Sequence, residues 1–214
     1  MHRKSFCDIL QFMVPQTFIF MGRSGCGKGT QAKLLQDYIE NQDEHKHPFF
    51  YVETGARFRE FIKGDKLANK LSAQIYQDDV RQPDFLAAWM WSNFLLEHMT
   101  GNEHLFLDGT PRSLPEARIL DTAMKFFKRA KPFVIHLDVS RELSTARLTA
   151  RGRMDDKTPD KIKKRLDWFD ADVVPAFDFF NKSPDYNYLK IDGDHPVEEV
   201  FAKIVEGIKG CNIF

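Results

Sequence analysis

Residues 17–30, Thr17-Phe-Ile-Phe-Met-Gly22-Arg-Ser-Gly-Cys-Gly-Lys28-Gly29-Thr30, join a strand-sized apolar run to a glycine-rich loop that opens a helical stretch. The loop satisfies the spacing GxxxxGK at a strand-to-helix junction, the position where that pattern has mechanical meaning. Glycines let consecutive backbone N–H groups curl around phosphate oxygens, and the helix N-terminus adds partial positive charge. Lys28 then reaches the transferred phosphate. Gly25, Cys26, Gly27, Lys28, Gly29 and Thr30 are therefore the candidate residues for holding a nucleotide's phosphates. Cys26 is read as a small loop residue.

Further apolar runs follow at FFYVE (49–53), HLFLD (104–108), PFVIHLD (132–138) and YNYLKID (186–192), separated by amphipathic stretches. Five strands alternating with helices predict a mostly parallel α/β sheet with helices on both faces. Helices are expected over Lys28–Asn41, Pro115–Lys128, Arg141–Arg151 and Val197–Lys209. The link from the second strand to the third is far longer than one crossover needs. Its helical signals at Ala56–Lys63, Lys66–Gln77 and Pro83–Met99 predict an inserted subdomain over 54–103. A second, much smaller excursion lies at 152–158. The core is then 17–53, 104–151 and 159–214, preceded by an extension, 1–16, that reads as a short packed segment rather than a signal peptide.

Composition narrows the partners. Among 214 residues, 31 Lys+Arg offset 31 Asp+Glu, so no basic excess recommends a nucleic acid. Hydrophobic residues are 43% of the chain, enough for a substantial core. No apolar run approaches the roughly 18 residues of a membrane-spanning helix. Cys7, Cys26 and Cys211 form no CxxC pair, which predicts a reducing, cytoplasmic setting with neither a disulfide framework nor structural zinc.

After Lys28 comes Gly29 rather than a hydroxyl residue, which is postponed to Thr30 and followed by Gln31. Here the chain resembles the adenylate kinase family of nucleoside monophosphate kinases, whose loop reads GxxGxGKGTQ. The resemblance implies a P-loop NTPase-type five-stranded parallel sheet, a helical insert that binds the monophosphate, and a lid, here very short. In the insert, Thr54, Gly55 and Arg59 match TGxxxR, implying that the threonine and arginine hold the acceptor phosphate. Val80, Arg81 and Gln82, before Pro83-Asp84, stand where the family's GxLVPD offers backbone to the acceptor base.

Asp108-Gly109-Thr110-Pro111-Arg112 matches DGFPR, with Thr110 in place of the aromatic residue. An acidic residue ending a buried strand beside a phosphate loop suits the waters around Mg²⁺, so Asp108, with Thr30 nearby, is the expected metal position. By resemblance, Gly109, Thr110, Pro111 and Arg112 contact AMP. The family usually has an adenine-reading glutamine where Glu116 stands; an ionised carboxylate only accepts hydrogen bonds, which suits an amino-bearing base, adenine or cytosine.

Arg147 and Arg151 correspond to the family's donor-side arginines. Arg153 and Arg165 match those of GRxDD and KKRL on the acceptor side, and Asp155 and Asp156 would lock the closed lid. Asp192–Pro196, which includes His195, matches the family's DGxxP loop, which by resemblance implies contact with the donor adenine. Lys28, Arg112, Arg147, Arg151, Arg153 and Arg165 thus form the expected catalytic set. The expected reaction is Mg-dependent transfer from ATP to AMP by a monomer, with a UMP/CMP kinase or a non-catalytic ATP-binding module as alternatives. Trp89, Trp91, Phe94, Leu95 and Met99, and likewise Trp168, Phe169, Phe177, Phe179 and Phe180, are expected to be packing residues, and Asp160–Lys164 a solvated helix face.

Overall fold

A computed structural model describes residues 14–151 and 158–211. The strands are β1 (Thr17–Gly22), β2 (Phe49–Glu53), β3 (His104–Asp108), β4 (Phe133–Asp138) and β5 (Asn187–Asp192). They form one sheet in the order β2-β3-β1-β4-β5 with every pair parallel. Parallel strands need crossovers, and helices fill them. These are α1 (Lys28–Gln42), then α2 (Thr54–Phe61), α3 (Leu67–Gln77) and α4 (Asp84–His98) of the insert. They continue with α5 (Leu114–Phe126), α6 (Arg141–Arg151), α7 (Pro159–Trp168), α8 (Val174–Lys182) and α9 (Val197–Gly210). A π-helical turn, Phe169–Val173, joins α7 to α8. The stretch from α7 to α8 is the largest helical element that residue patterning left without bounds.

Strand periodicity sorts side chains to two cores. Ile19, Met21, Leu105, Leu107 and Val134 face one layer, where Trp91 and Leu95 of α4, Leu120 of α5 and Phe177 and Phe180 of α8 meet them. Phe18, Phe20, Phe106, Phe133 and Ile135 face the other, against Leu35 and Ile39 of α1 and Val200, Ile204 and Ile208 of α9. Strands apolar on both faces are what a sheet covered on both sides requires. Trp91 and Leu95 are fully buried as expected, but Trp89 is 48% exposed. One turn of helix separates Trp91 from Leu95, while Trp89 points away from the face they share.

At the amino ends of the strands, Asp43 accepts hydrogen bonds from the backbone N–H groups of His45 and His47. Its Oδ2 also lies 2.9 Å from His47 Nδ1 and 3.3 Å from His104 Nε2. His104 Nδ1 accepts the Gln16 backbone N–H at 3.0 Å, so Nε2 carries the imidazole's proton and donates it to Asp43. A ring nitrogen in that state has no lone pair for a metal. The three side chains form a hydrogen-bonded knot that ties the loop before β2 to the start of β3.

Candidate active site

The phosphate loop lies at the carboxyl edge of β1, beside the ends of β3 and β4, where open α/β sheets bind ligands. Gly22 has φ 149°, and a Cβ there would sit 2.6 Å from the Leu137 carbonyl oxygen and 2.8 Å from Cys26 Sγ. Only glycine lets the chain leave β1 so close to β4. Lys28 Nζ folds back over the loop, donating to the carbonyls of Gly22 at 2.8 Å and Arg23 at 2.9 Å. Cys26 is packed in the core with Sγ 3.5 Å from the same ammonium.

A cleft of about 600 Å³ opens above this loop. Gly25 to Thr30 line its floor, Arg147, Arg151 and His195 one side, and Arg59, Arg112 and Arg165 the insert side. Five of the six expected catalytic residues thus meet in one cavity; the sixth, Arg153, lies outside the described residues, as do Asp155 and Asp156. Asp108 and Gly109 also reach the cleft, together with Val80, Arg81 and Gln82. Burial pulls the Arg112 pKa down, with the charges of Arg165 and Arg59 acting in the same direction against Glu116 and Asp108. Cations held this close together are a site for a polyanion.

Arg147 reaches toward the carbonyls of Cys26 and Gly193, each at 3.5 Å, linking the phosphate loop to the loop after β5. His195 stands at the far end, between Asp192 at 2.9 Å and Glu199 at 3.4 Å.

Four expected contacts are not in the cleft lining. Thr54 and Thr110 are buried and hydrogen-bonded to each other through their hydroxyls, which joins the start of α2 to the turn after β3. Pro111, beside them, is buried as well. Glu116 is completely buried: Oε2 accepts the Arg112 backbone N–H at 2.7 Å, and Oε1 accepts Trp91 Nε1–H at 3.0 Å. Burial pushes its pKa up, and those two donors with the Arg112 charge oppose the shift. Both oxygens accept, so the geometry fits a carboxylate, occupied with holding Arg112 rather than facing a base. Trp91 is correspondingly more than packing, and Trp168 lines the cleft.

Several contacts around the cleft had no sequence signal. Tyr51 donates its hydroxyl to Asp108 Oδ2 at 2.7 Å, and burial with the Asp108 charge raises its pKa far above the ordinary phenol value. Glu53 pairs with Arg59 at 2.8 Å. Arg23, inside the phosphate loop, donates to the Val139 carbonyl and to Asp170 of the π turn, while Asp172 of that turn binds Arg81 of the insert at 3.1 Å. Lys161, expected to be solvated, reaches Asp79 of the insert at 3.0 Å. Such pairs need distant segments to meet, which spacing along the chain cannot reveal.

Fold and cleft together define a P-loop phosphotransferase-type α/β protein with a basic cavity built for phosphates. Comparison with known proteins makes the class specific. Residues 20–184 match the adenylate kinase family. Adenylate kinase 1 of Nostoc sp. (strain PCC 7120) is 33% identical over 183 residues, covering 85% of this chain and 92% of that protein. An adenylate kinase of Cyanothece sp. (strain PCC 7425) is 28% identical over 91% of this chain and 97% of its own length. That of Porphyromonas gingivalis (strain ATCC 33277) is 27% identical over 87% and 92%. The chain belongs to the adenylate kinase family, whose members are nucleoside monophosphate kinases.

Proposed function

We propose that this protein transfers the γ-phosphoryl group of Mg-ATP reversibly to a nucleoside monophosphate, with AMP as an acceptor and two ADP as products. The observation that carries this reading is the convergence of Lys28 with Arg59, Arg112, Arg147, Arg151 and Arg165 on one cleft. Its two sides suit two phosphorylated ligands: Arg147, Arg151 and the phosphate loop for the donor, Arg59, Arg112 and Arg165 for the acceptor. An acceptor phosphate is already anionic at neutral pH, so no general base is required. Rate comes from holding the two phosphates in line and from guanidinium charge placed where the equatorial oxygens develop theirs.

Asp108 is the residue that would hold Mg²⁺ through water, with the Thr30 hydroxyl near it. The donor set fits a hard cation: a carboxylate at the strand end, oriented by the Tyr51 hydroxyl and lying beside Gly29 of the loop. When bound, the ion neutralises charge on the β and γ phosphates. Tyr51→Phe removes the orienting hydrogen bond but not the ligand, and loss of such an outer partner typically costs about 10- to 100-fold in metal affinity. The expected result is a rise of about tenfold in the Mg²⁺ concentration for half-maximal rate with kcat little changed. An unaltered Mg²⁺ titration would mean that the Tyr51 hydroxyl does not orient Asp108 toward the ion.

In the same reading Arg153, Asp155 and Asp156 act at the lid, and the protein works as a cytoplasmic monomer, which sedimentation at micromolar concentration tests. None of the described helices is long and apolar enough to cross a membrane. A coupled assay with purified protein, ATP, AMP and Mg²⁺ tests the activity itself. ADP should form at least a hundred times faster than from ATP alone; equal rates would sink the kinase reading.

A further inference from the structure

Among the described residues, the two side chains best placed to read a base on the acceptor side, Glu116 and Gln82, are both engaged by protein partners. Glu116, at the family's glutamine position, is held by two groups that only donate, the Arg112 backbone N–H and the Trp91 indole N–H. A carboxylate satisfies both. A glutamine amide would satisfy one and turn its own NH₂ toward the other, so the glutamate and the tryptophan are a matched pair. Both side chains are wholly buried.

The second possible reader, Gln82, is also occupied at each end. Its Oε1 accepts the Ser72 hydroxyl and its Nε2 donates to the Ser72 carbonyl, both at 2.9 Å. Arg81 is fixed between Asp84 at 2.6 Å and Asp172 at 3.1 Å, and Asp79 is paired with Lys161. The phosphate end is by contrast richly furnished, with Arg59, Arg112 and Arg165 in the lining. Strong discrimination between substrates arises where a site's buried polar groups would be left unpaired by the wrong one; shape alone separates analogues by about 10- to 200-fold at most.

Building on the nucleoside monophosphate kinase reading, we propose that this acceptor site selects the 5′-phosphate strongly and the base weakly, so that purine and pyrimidine nucleoside monophosphates are all acceptors. Glu116 is a positioning residue that sets Arg112, not a reader of the base.

The test is kcat/KM of the purified protein for AMP, GMP, CMP and UMP at fixed Mg-ATP. The four values are expected to fall within about 200-fold of one another, the most that shape discrimination alone supplies. A wider preference for AMP overturns this inference and leaves the kinase reading standing, whereas transfer to none of the four removes both. In Glu116→Gln one of the two donors loses its partner and Arg112 is less firmly set. KM should therefore rise for all four acceptors by a common factor, with their ratios unchanged within about threefold. A tenfold change in the AMP-to-UMP ratio would show that residue 116 reads the base after all.

Discussion

Replacing Arg112 by alanine is expected to lower kcat/KM for transfer to AMP by about 10³-fold, close to 4 kcal/mol of transition-state stabilisation. Arg112 is placed for that effect by two hydrogen bonds and a ring of neighbouring charge. Its Nε donates to the Gly109 carbonyl at 2.8 Å, which fixes the guanidinium plane, and its backbone N–H is held by Glu116. Burial, with smaller contributions from the Arg165 and Arg59 charges, pulls the Arg112 pKa down against Glu116 and Asp108, so a phosphate arriving at this buried guanidinium meets a charge that water no longer screens. Arg112→Lys retains charge but not the planar fork, and should recover no more than about a tenth of the activity. Binding of ATP measured calorimetrically should stay within about threefold of wild type, because Arg112 lies on the acceptor side. A loss smaller than tenfold, or an equal loss of ATP affinity, would assign Arg112 to structure instead.

What the sequence revealed follows from how local each signal is. TFIFM, HLFLD and FVIHLD are apolar on both faces and end in turn-forming or acidic residues, so strand and sheet type are written within six residues. The phosphate loop is equally legible, because its function lies in consecutive backbone groups and glycines. Arg59, Arg112, Arg147, Arg151 and Arg165 were recoverable from family motifs although their convergence depends on tertiary structure. The contacts of Glu116 were not legible because its partner Trp91 lies 25 positions away on another helix. Substitution at one motif position looks like altered base recognition until the indole N–H that requires the carboxylate is seen. The Thr54–Thr110 hydroxyl bond is of the same kind, joining positions 56 apart that no motif links. Trp89 misled for a different reason: a helix apolar nearly all round gives no azimuth, and its neighbours decide which side is buried.

Acid should destabilise this protein well above the range where carboxylates titrate, through His136. The ring sits in β4, stacked on Phe177 with centroids 3.6 Å apart, and Nδ1 lies 2.7 Å from the Tyr188 hydroxyl. Asp138, Lys190 and Arg23 are the charged groups around it. Burial is the largest influence and, with the charges of Lys190 and Arg23, it outweighs the attraction of Asp138, lowering the imidazole pKa to about 4. An unfolded chain titrates this group near 6.5. Above that pH the ring is neutral in both states and contributes no pH dependence. Between 6.5 and about 4 the unfolded state takes up a proton that the folded state refuses, so stability falls with falling pH and levels off only below the folded value. At about 1.4 kcal/mol per pH unit, the whole window amounts to about 3 kcal/mol. His104, also lowered by burial despite its bond to Asp43, adds to the same slope. His136→Gln keeps a hydrogen-bonding partner for Tyr188 but cannot titrate. Urea unfolding of wild type and variant at pH 7, 6, 5 and 4.5 should therefore show the variant losing stability more gently by about one proton's worth per pH unit. Parallel curves would mean that the imidazole titrates alike in the folded and unfolded states, and the lowered pKa of the buried ring would be overturned.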